Sequence, residues 1–410
     1  MEPDTIGELL RHLRAQSGRS QAEQADTLST LSGRPVTRNE VSRWEAERRL
    51  LTPFWQQHFA DSFDVDGRLL RDAVVTSRTA RRRAKGDEGA VHRREFIGAM
   101  ASLALPLSLA QPPTDLRIGQ ADIDRLRRRT ARLRRLDDVL GGGDTAPVYA
   151  AEVTTTQDLL NRGSYTGDIG RELHVLLAEQ LQQAGWAAFD HGDHRQASRF
   201  YDDSRRVAEQ AGARALAGNA LAYAAYQQTT TAKDGTADAD ASYEVAREAA
   251  TPKVSALLLS RKAWAHAVAG DARQADTALA MARDALHRSD DRPEPDWVFW
   301  VDGAEVDIMA GRCWTELRRP LRAVPVLERV LGDFDDTCAR DKALYLTWLA
   351  TSYLQAHEVE HSAATLRRAH ELAVGVASTR PGARIAAVAR KLDRHRDVSE
   401  VAQVLDEIRA

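Results

Sequence analysis

Only two cysteines occur in 410 residues, Cys313 and Cys338, far apart and outside any ligand-like spacing. Their scarcity excludes a disulfide scaffold and a zinc-cysteine site, and makes a reducing cytoplasm the expected compartment. Aromatic residues are few, at 6%, and no apolar run approaches the roughly 18–20 residues that span a bilayer. The opening Met1-Glu-Pro-Asp4 has neither a basic nor an apolar stretch, so no secretion signal and no membrane partner are expected. Net charge is also nearly absent, with 57 Lys and Arg against 60 Asp and Glu, or −3 overall. That balance would argue against a nucleic-acid partner only if it held along the whole chain.

It does not. Residues 67–85 carry seven basic side chains against Asp72 alone, and residues 117–135 carry eight arginines against Asp122 and Asp124. Both stretches are able to meet a DNA backbone, although the second reads equally well as a solvated helix face paired with acidic neighbours. The chain is otherwise rich in Ala, Leu and Arg at helical spacing, which predicts an all-α protein.

Residues 1–75 read as a bundle of short helices. Ile6, Leu9, Leu10 and Leu13 form one apolar face, Ser20 with Glu23 and Thr37 with Glu40 form capping boxes, and Pro53 opens a fourth helix. On the third helix, positions 38, 39, 42 and 43 share one face, and Val41, Trp44 and Ala46 lie towards the other. Arginine can grip guanine bidentately and asparagine adenine, so that face suits base reading. Residues 76–120 read as a linker with an apolar patch, and 121–165 as a basic helical connector whose Arg-rich helix, about 121–140, is ended by Gly141-Gly-Gly143. Over 166–410 helix follows helix. Gly192-Asp-His-Arg-Gln-Ala197 recurs as Gly270-Asp-Ala-Arg-Gln-Ala275, 78 residues on, with looser copies near Gly311 and His357–Ala363. Units near this length are the signature of stacked helical hairpins.

Ser20-Gln-Ala-Glu23 followed by Val36-Thr-Arg-Asn-Glu-Val-Ser-Arg-Trp-Glu45 resembles the Cro/repressor-like helix-turn-helix of the xenobiotic-response-element class. The Gly-Asp turns and the small Ala that follows resemble the tetratricopeptide repeat. Together they look like the large actinobacterial family of regulators that joins these two parts, and in layout like the peptide-sensing regulators of Gram-positive bacteria. The resemblance implies a homodimeric transcription regulator on a palindromic DNA operator. Gln21 would lie near a phosphate, and Thr37, Arg38, Asn39, Ser42 and Arg43 would be presented to the major groove. Gln24 departs from the family, which usually has Leu there, and so weakens a packing contact. The repeat array would offer a groove for a peptide, protein or small-molecule effector. Groove candidates are Tyr223, Tyr226, Trp264, His266, Trp300 and Asp307. The alternative is an interaction scaffold or anti-activator in which DNA binding is weak or vestigial.

No arrangement of nucleophile and base stands out, so no enzyme and no cofactor are expected. His357-Glu-Val-Glu-His361 has the zincin spacing, but it falls where the repeat places a turn, so its two rings would not share a helix face and no metal is expected. Asp190, His191, Asp193 and His194 read as solvated residues of an equivalent turn. His92-Arg-Arg-Glu-Phe-Ile97 resembles a twin-arginine motif, but its position favours a linker helix or dimer contact.

Overall fold

A computed structural model describes residues 5–32, 36–46, 51, 53–70, 73–74, 77, 117–334, 336, 338–374 and 376–409. The side chains of Asn39, Arg43 and residues 53, 54 and 138–140 lie outside that description, as does the whole of the Arg-Arg-Glu-Phe segment. The chain falls into two compact units, one within 1–110 and one within 111–410. Both are helical, and the described residues contain no β-strand beyond a single Arg117–Ser164 bridge.

The first unit contains α1 (Ile6–Gln16), α2 (Gln21–Ser32), α3 (Arg38–Glu45) and α4 (Pro53–Phe63). Both capping boxes form: the backbone of Ser20 donates to Glu23 and that of Glu23 to the Ser20 hydroxyl, and Thr37 and Glu40 repeat the exchange. Reciprocal caps satisfy amides that a helix start leaves unpaired, which makes helices as short as α3 viable. Ile6, Leu10, Leu28, Val41, Trp44 and Phe59 build the core. Gln24 does not merely lack an apolar contact. It is fully buried, donates to Ser62 Oγ at 2.8 Å and accepts from Arg19 at 3.2 Å, while Arg19 also caps the Ser62 carbonyl. A satisfied polar network thus fills the place of the expected leucine.

The second unit opens with α5 (Gln120–Leu140) and α6 (Gly142–Arg162). Five antiparallel hairpins follow: α7 (Gly167–His191) with α8 (His194–Gln210), α9 (Arg214–Thr230) with α10 (Thr236–Ala246), and α11 (Pro252–Val268) with α12 (Ala272–Leu286). The last two are α13 (Gly303–Glu316) with α14 (Pro320–Asp333), and α15 (Ala339–Gln355) with α16 (Val359–Ala373). Then come α17 (Thr379–Leu392) and α18 (Ser399–Arg409). Each pair packs as neighbours in a solenoid-like array.

The turn chemistry repeats as the sequence suggests. Gly192 and Gly270 adopt left-handed φ values of 99° and 84°, and Asp193 and Asp271 cap the next helix by accepting from Gln196 and Gln274. The looser copy at Gly311 differs from expectation. Gly311 lies within α13, where an added Cβ would come 2.5 Å from Leu327, so it serves a close helix crossing. The turn of that hairpin is at Arg318, which is itself left-handed at φ 55°. His357 takes the matching turn position at φ 65°, with His361 in the helix beyond, so the two rings do not share a face of one helix.

The stretch expected to be a basic connector is woven into the array. Arg127 pairs with Glu172, Arg129 with the buried Glu152, and Arg134 with Glu179 and Asp296, which Arg135 also contacts. At Gly141, φ 82° ends α5. A Cβ at Gly142 would lie 2.5 Å from the Ala187 carbonyl, so only glycine permits α6 to start this close to α7. No described helix is long and apolar enough to cross a membrane.

Candidate functional site

Helical periodicity aims one stripe of each hairpin's first helix at a common interior. Glu179, Gln182, Gln183 and Trp186 recur at that spacing on α7, and Asn219, Tyr223 and Tyr226 on α9. Arg261 on α11, Glu305 and Arg312 on α13, and Asp341 and Tyr345 on α15 continue the wall. Together they line a cavity of about 440 Å³, a size suited to a small organic ligand.

Buried ion pairs and hydrogen bonds brace the helices around this cavity. Arg340 on α15 reaches Asp137 on α5 at 2.9 Å and Asp341 at 3.1 Å. Asp190, fully buried at the end of α7, accepts from the Gly142 amide at 2.8 Å and the Ser378 hydroxyl at 2.9 Å, and lies 3.4 Å from Arg380. Asp190 is therefore no solvated turn residue, because residues 142 and 378–380 fold over it, whereas Asp193 is exposed as expected.

The centre of the wall is Tyr226. Its phenolic oxygen accepts from Arg312 at 2.8 Å and from Arg380 at 2.9 Å. Burial alone would raise this phenol, but the nearby guanidiniums of Arg312, Arg380 and Arg261 outweigh it and bring it down to about 8. Arg312 is 1% exposed and enclosed by Trp348 and Trp264, 4.1 and 4.5 Å from its guanidinium, with Tyr226 and Tyr345 farther out. Arg261 lies over Tyr226 at 4.8 Å and Trp300 at 5.8 Å.

Of the groove candidates, Tyr223, Tyr226 and Trp300 line the cavity. Trp264 stands behind it, supporting Arg312 and donating to Thr229. The structure does not bring His266 and Asp307 there: His266 pairs with Asp240 at 3.0 Å, and Asp307 accepts from Arg283 and Arg329. Arg261, Arg312, Arg340 and Arg380 match none of the sequence patterns that mark a site. Their signal is a charge set inside an apolar helix, as in Ile308-Met-Ala-Gly-Arg312-Cys-Trp314.

Glu305 gives the cavity a pH response. Burial pushes its carboxyl up from 4.5 to about 7, against the pull of Arg261 and Arg312 and with Asp341 reinforcing the rise; Tyr345 donates to it at 3.3 Å. Because the folded carboxyl holds its proton more tightly than the unfolded one, its contribution to stability is complete below pH 4.5 and is lost as pH rises through 7. Glu305→Gln, neutral throughout, is expected to flatten the fall in thermal midpoint across that interval. An unchanged pH profile would show that Glu305 titrates normally.

In the first unit, Thr37 caps α3, Arg38 is exposed at its first turn, and Ser42 is half-buried. Val41 and Trp44 face the core as expected, but Ala46 is exposed at the helix end. Gln21 donates to Glu45 at 2.8 Å, and Glu45 pairs with Arg14. These bonds tie the start of α2 to α1 and α3. No protein-family model matches this sequence, and no curated protein matches it.

Proposed function

We propose that this chain is a sequence-specific DNA-binding transcription regulator whose helical array receives an effector. The observation that carries the reading is α3, a capped eight-residue helix with one side anchored by Val41 and Trp44 and an exposed Arg38 at its start. In this reading α2 and α3 are the helix-turn-helix. Arg38, Asn39 and Arg43 read base edges, while Thr37, Ser42 and Gln21 sit at the DNA-facing rim. A cytoplasmic homodimer on a palindromic operator follows from the family resemblance. An effector in the cavity acts by preferring one arrangement of the array over another, since equal affinity for both would switch nothing.

One observation favours the scaffold reading. Much of the arginine charge in 117–135 is spent on ion pairs inside the array, which removes part of the basic surface expected to assist DNA binding. A single experiment separates the two. Operator fragments are recovered by a genome-wide pull-down with purified full-length protein, then titrated in a mobility-shift assay with the Arg38→Ala, Arg43→Ala double variant. Each bidentate arginine contact is worth about 1–3 kcal/mol, so affinity is expected to fall about a hundredfold or more. Unchanged binding would sink the major-groove assignment and leave the scaffold.

A further inference from the structure

We propose that the cavity of the helical array binds an organic oxyanion, a carboxylate carried on a flat aromatic or apolar body, which pairs with Arg261 and Arg312. The proposal deepens the effector reading and rests on it for the role of the cavity.

The argument begins with the charges. Arg340 is committed to Asp137 and Asp341, Arg134 to Glu179 and Asp296, and Arg380 to Asp190. Among the described residues no carboxylate lies within ion-pair distance of Arg312 or Arg261, and no hydrogen bond holds Arg261. A buried cation without a counterion is costly, because its hydration has been given up without a partner in return. Aromatic faces recover part of that cost for Arg312, yet its Nε–H is buried without an acceptor. Two guanidiniums on one cavity wall with no carboxylate within ion-pair distance therefore leave a place for a negative charge, which the nearby Glu305 supplies only as pH rises through 7.

Tyr226 points the same way. Two guanidinium N–H groups occupy its acceptor positions, so the phenolic proton is what it has left to offer, again to an acceptor. Three acids on the wall have no arginine partner among the described residues: Asp302, Glu305 and Asp333, the last at the end of α14. Asp302 accepts from the Glu305 amide as the cap of α13, and Glu305 is held largely neutral below pH 7. The planar fork of arginine matches a carboxylate, and Trp300, Trp186 and Tyr223 supply surfaces for a ring.

The test uses the full-length protein and matched pairs of probes in isothermal titration: benzoate, 1-naphthoate and 9-anthracenecarboxylate, each against its neutral amide. N-acetyltryptophan and its amide stand in for a peptide C-terminus, so their rank against the aryl acids assigns the carboxylate to a free acid or a chain end. The best acid is expected to bind about tenfold or more tightly than its amide, and Arg261→Gln to abolish that preference, while Arg261→Lys retains part of it. Arg312→Met is expected to lose the same preference while the ligand-free thermal midpoint holds or rises, because an unpaired buried charge gives way to an apolar chain. Amides binding as tightly as acids, or a preference that survives Arg261→Gln, would overturn the anion assignment and leave an effector cavity for neutral ligands. A lowered midpoint in Arg312→Met would make Arg312 a structural cation and overturn the proposal as well. Binding by neither member of any pair would remove the effector reading together with it.

Discussion

Trp44→Ala is expected to unfold the first unit while the helical array stays folded. Trp44 is 1% exposed, its ring 5.0 Å from that of Trp55 and 5.5 Å from Phe59, which it meets edge-on. Removing a buried tryptophan costs about 3–5 kcal/mol in lost transfer energy and cavity formation. A bundle of this size has a total stability of the same order. Calorimetry of the full chain should show the transition of the small unit disappear and the larger one persist, with a matching partial loss of helical circular dichroism. Trp44→Phe, which keeps an apolar ring in the site, should cost less than half as much. A thermogram identical to wild type would mean that the core of this unit does not depend on Trp44.

Arg340→Ala should produce the largest loss in the array. Arg340 is 3% exposed and bonded to Asp137 and Asp341, with Asp190 at 3.9 Å. These groups sit on α15, α5 and α7, and the Arg340–Asp137 contact joins residues 203 apart in sequence. Deleting the guanidinium strands buried carboxylates, an effect of about 3–5 kcal/mol, or roughly 5–10 °C in thermal midpoint. Combining Arg340→Met with Asp137→Asn removes both charges of the closest pair and should recover much of the loss. Equal destabilisation by the single and double variants would place the cost in lost packing instead of stranded charge.

Local chemistry made much of the scaffold legible in advance. The Thr37 and Ser20 capping boxes, the Val41–Trp44 face of α3 and the Gly-Asp turns at 192 and 270 are each decided within a few residues, so reading them needs no knowledge of the rest of the chain. The candidate site was only partly legible. Tyr223, Tyr226 and Trp300 stand out as aromatics on helices and do line the cavity, but His266 and Asp307, which look equivalent in sequence, face other partners. Helical spacing tells which residues share a face but leaves open which faces converge.

Charge shows the same division. The near-zero total never spoke against a nucleic-acid partner, since it sums basic segments with acidic ones. Apart from Arg125, which meets Asp122 one turn away, the pairing of the arginines of 117–135 was undecidable from their spacing, because the carboxylates come from residues 152, 172, 179 and 296. Asp190 looked like a solvated turn residue until residues 142 and 378–380 closed over it. Residues close together in the chain set the helices, their caps and the Gly-Asp turns. Which charges are neutralised is settled only in the folded chain, because an ion pair within 4 Å depends on how distant helices meet.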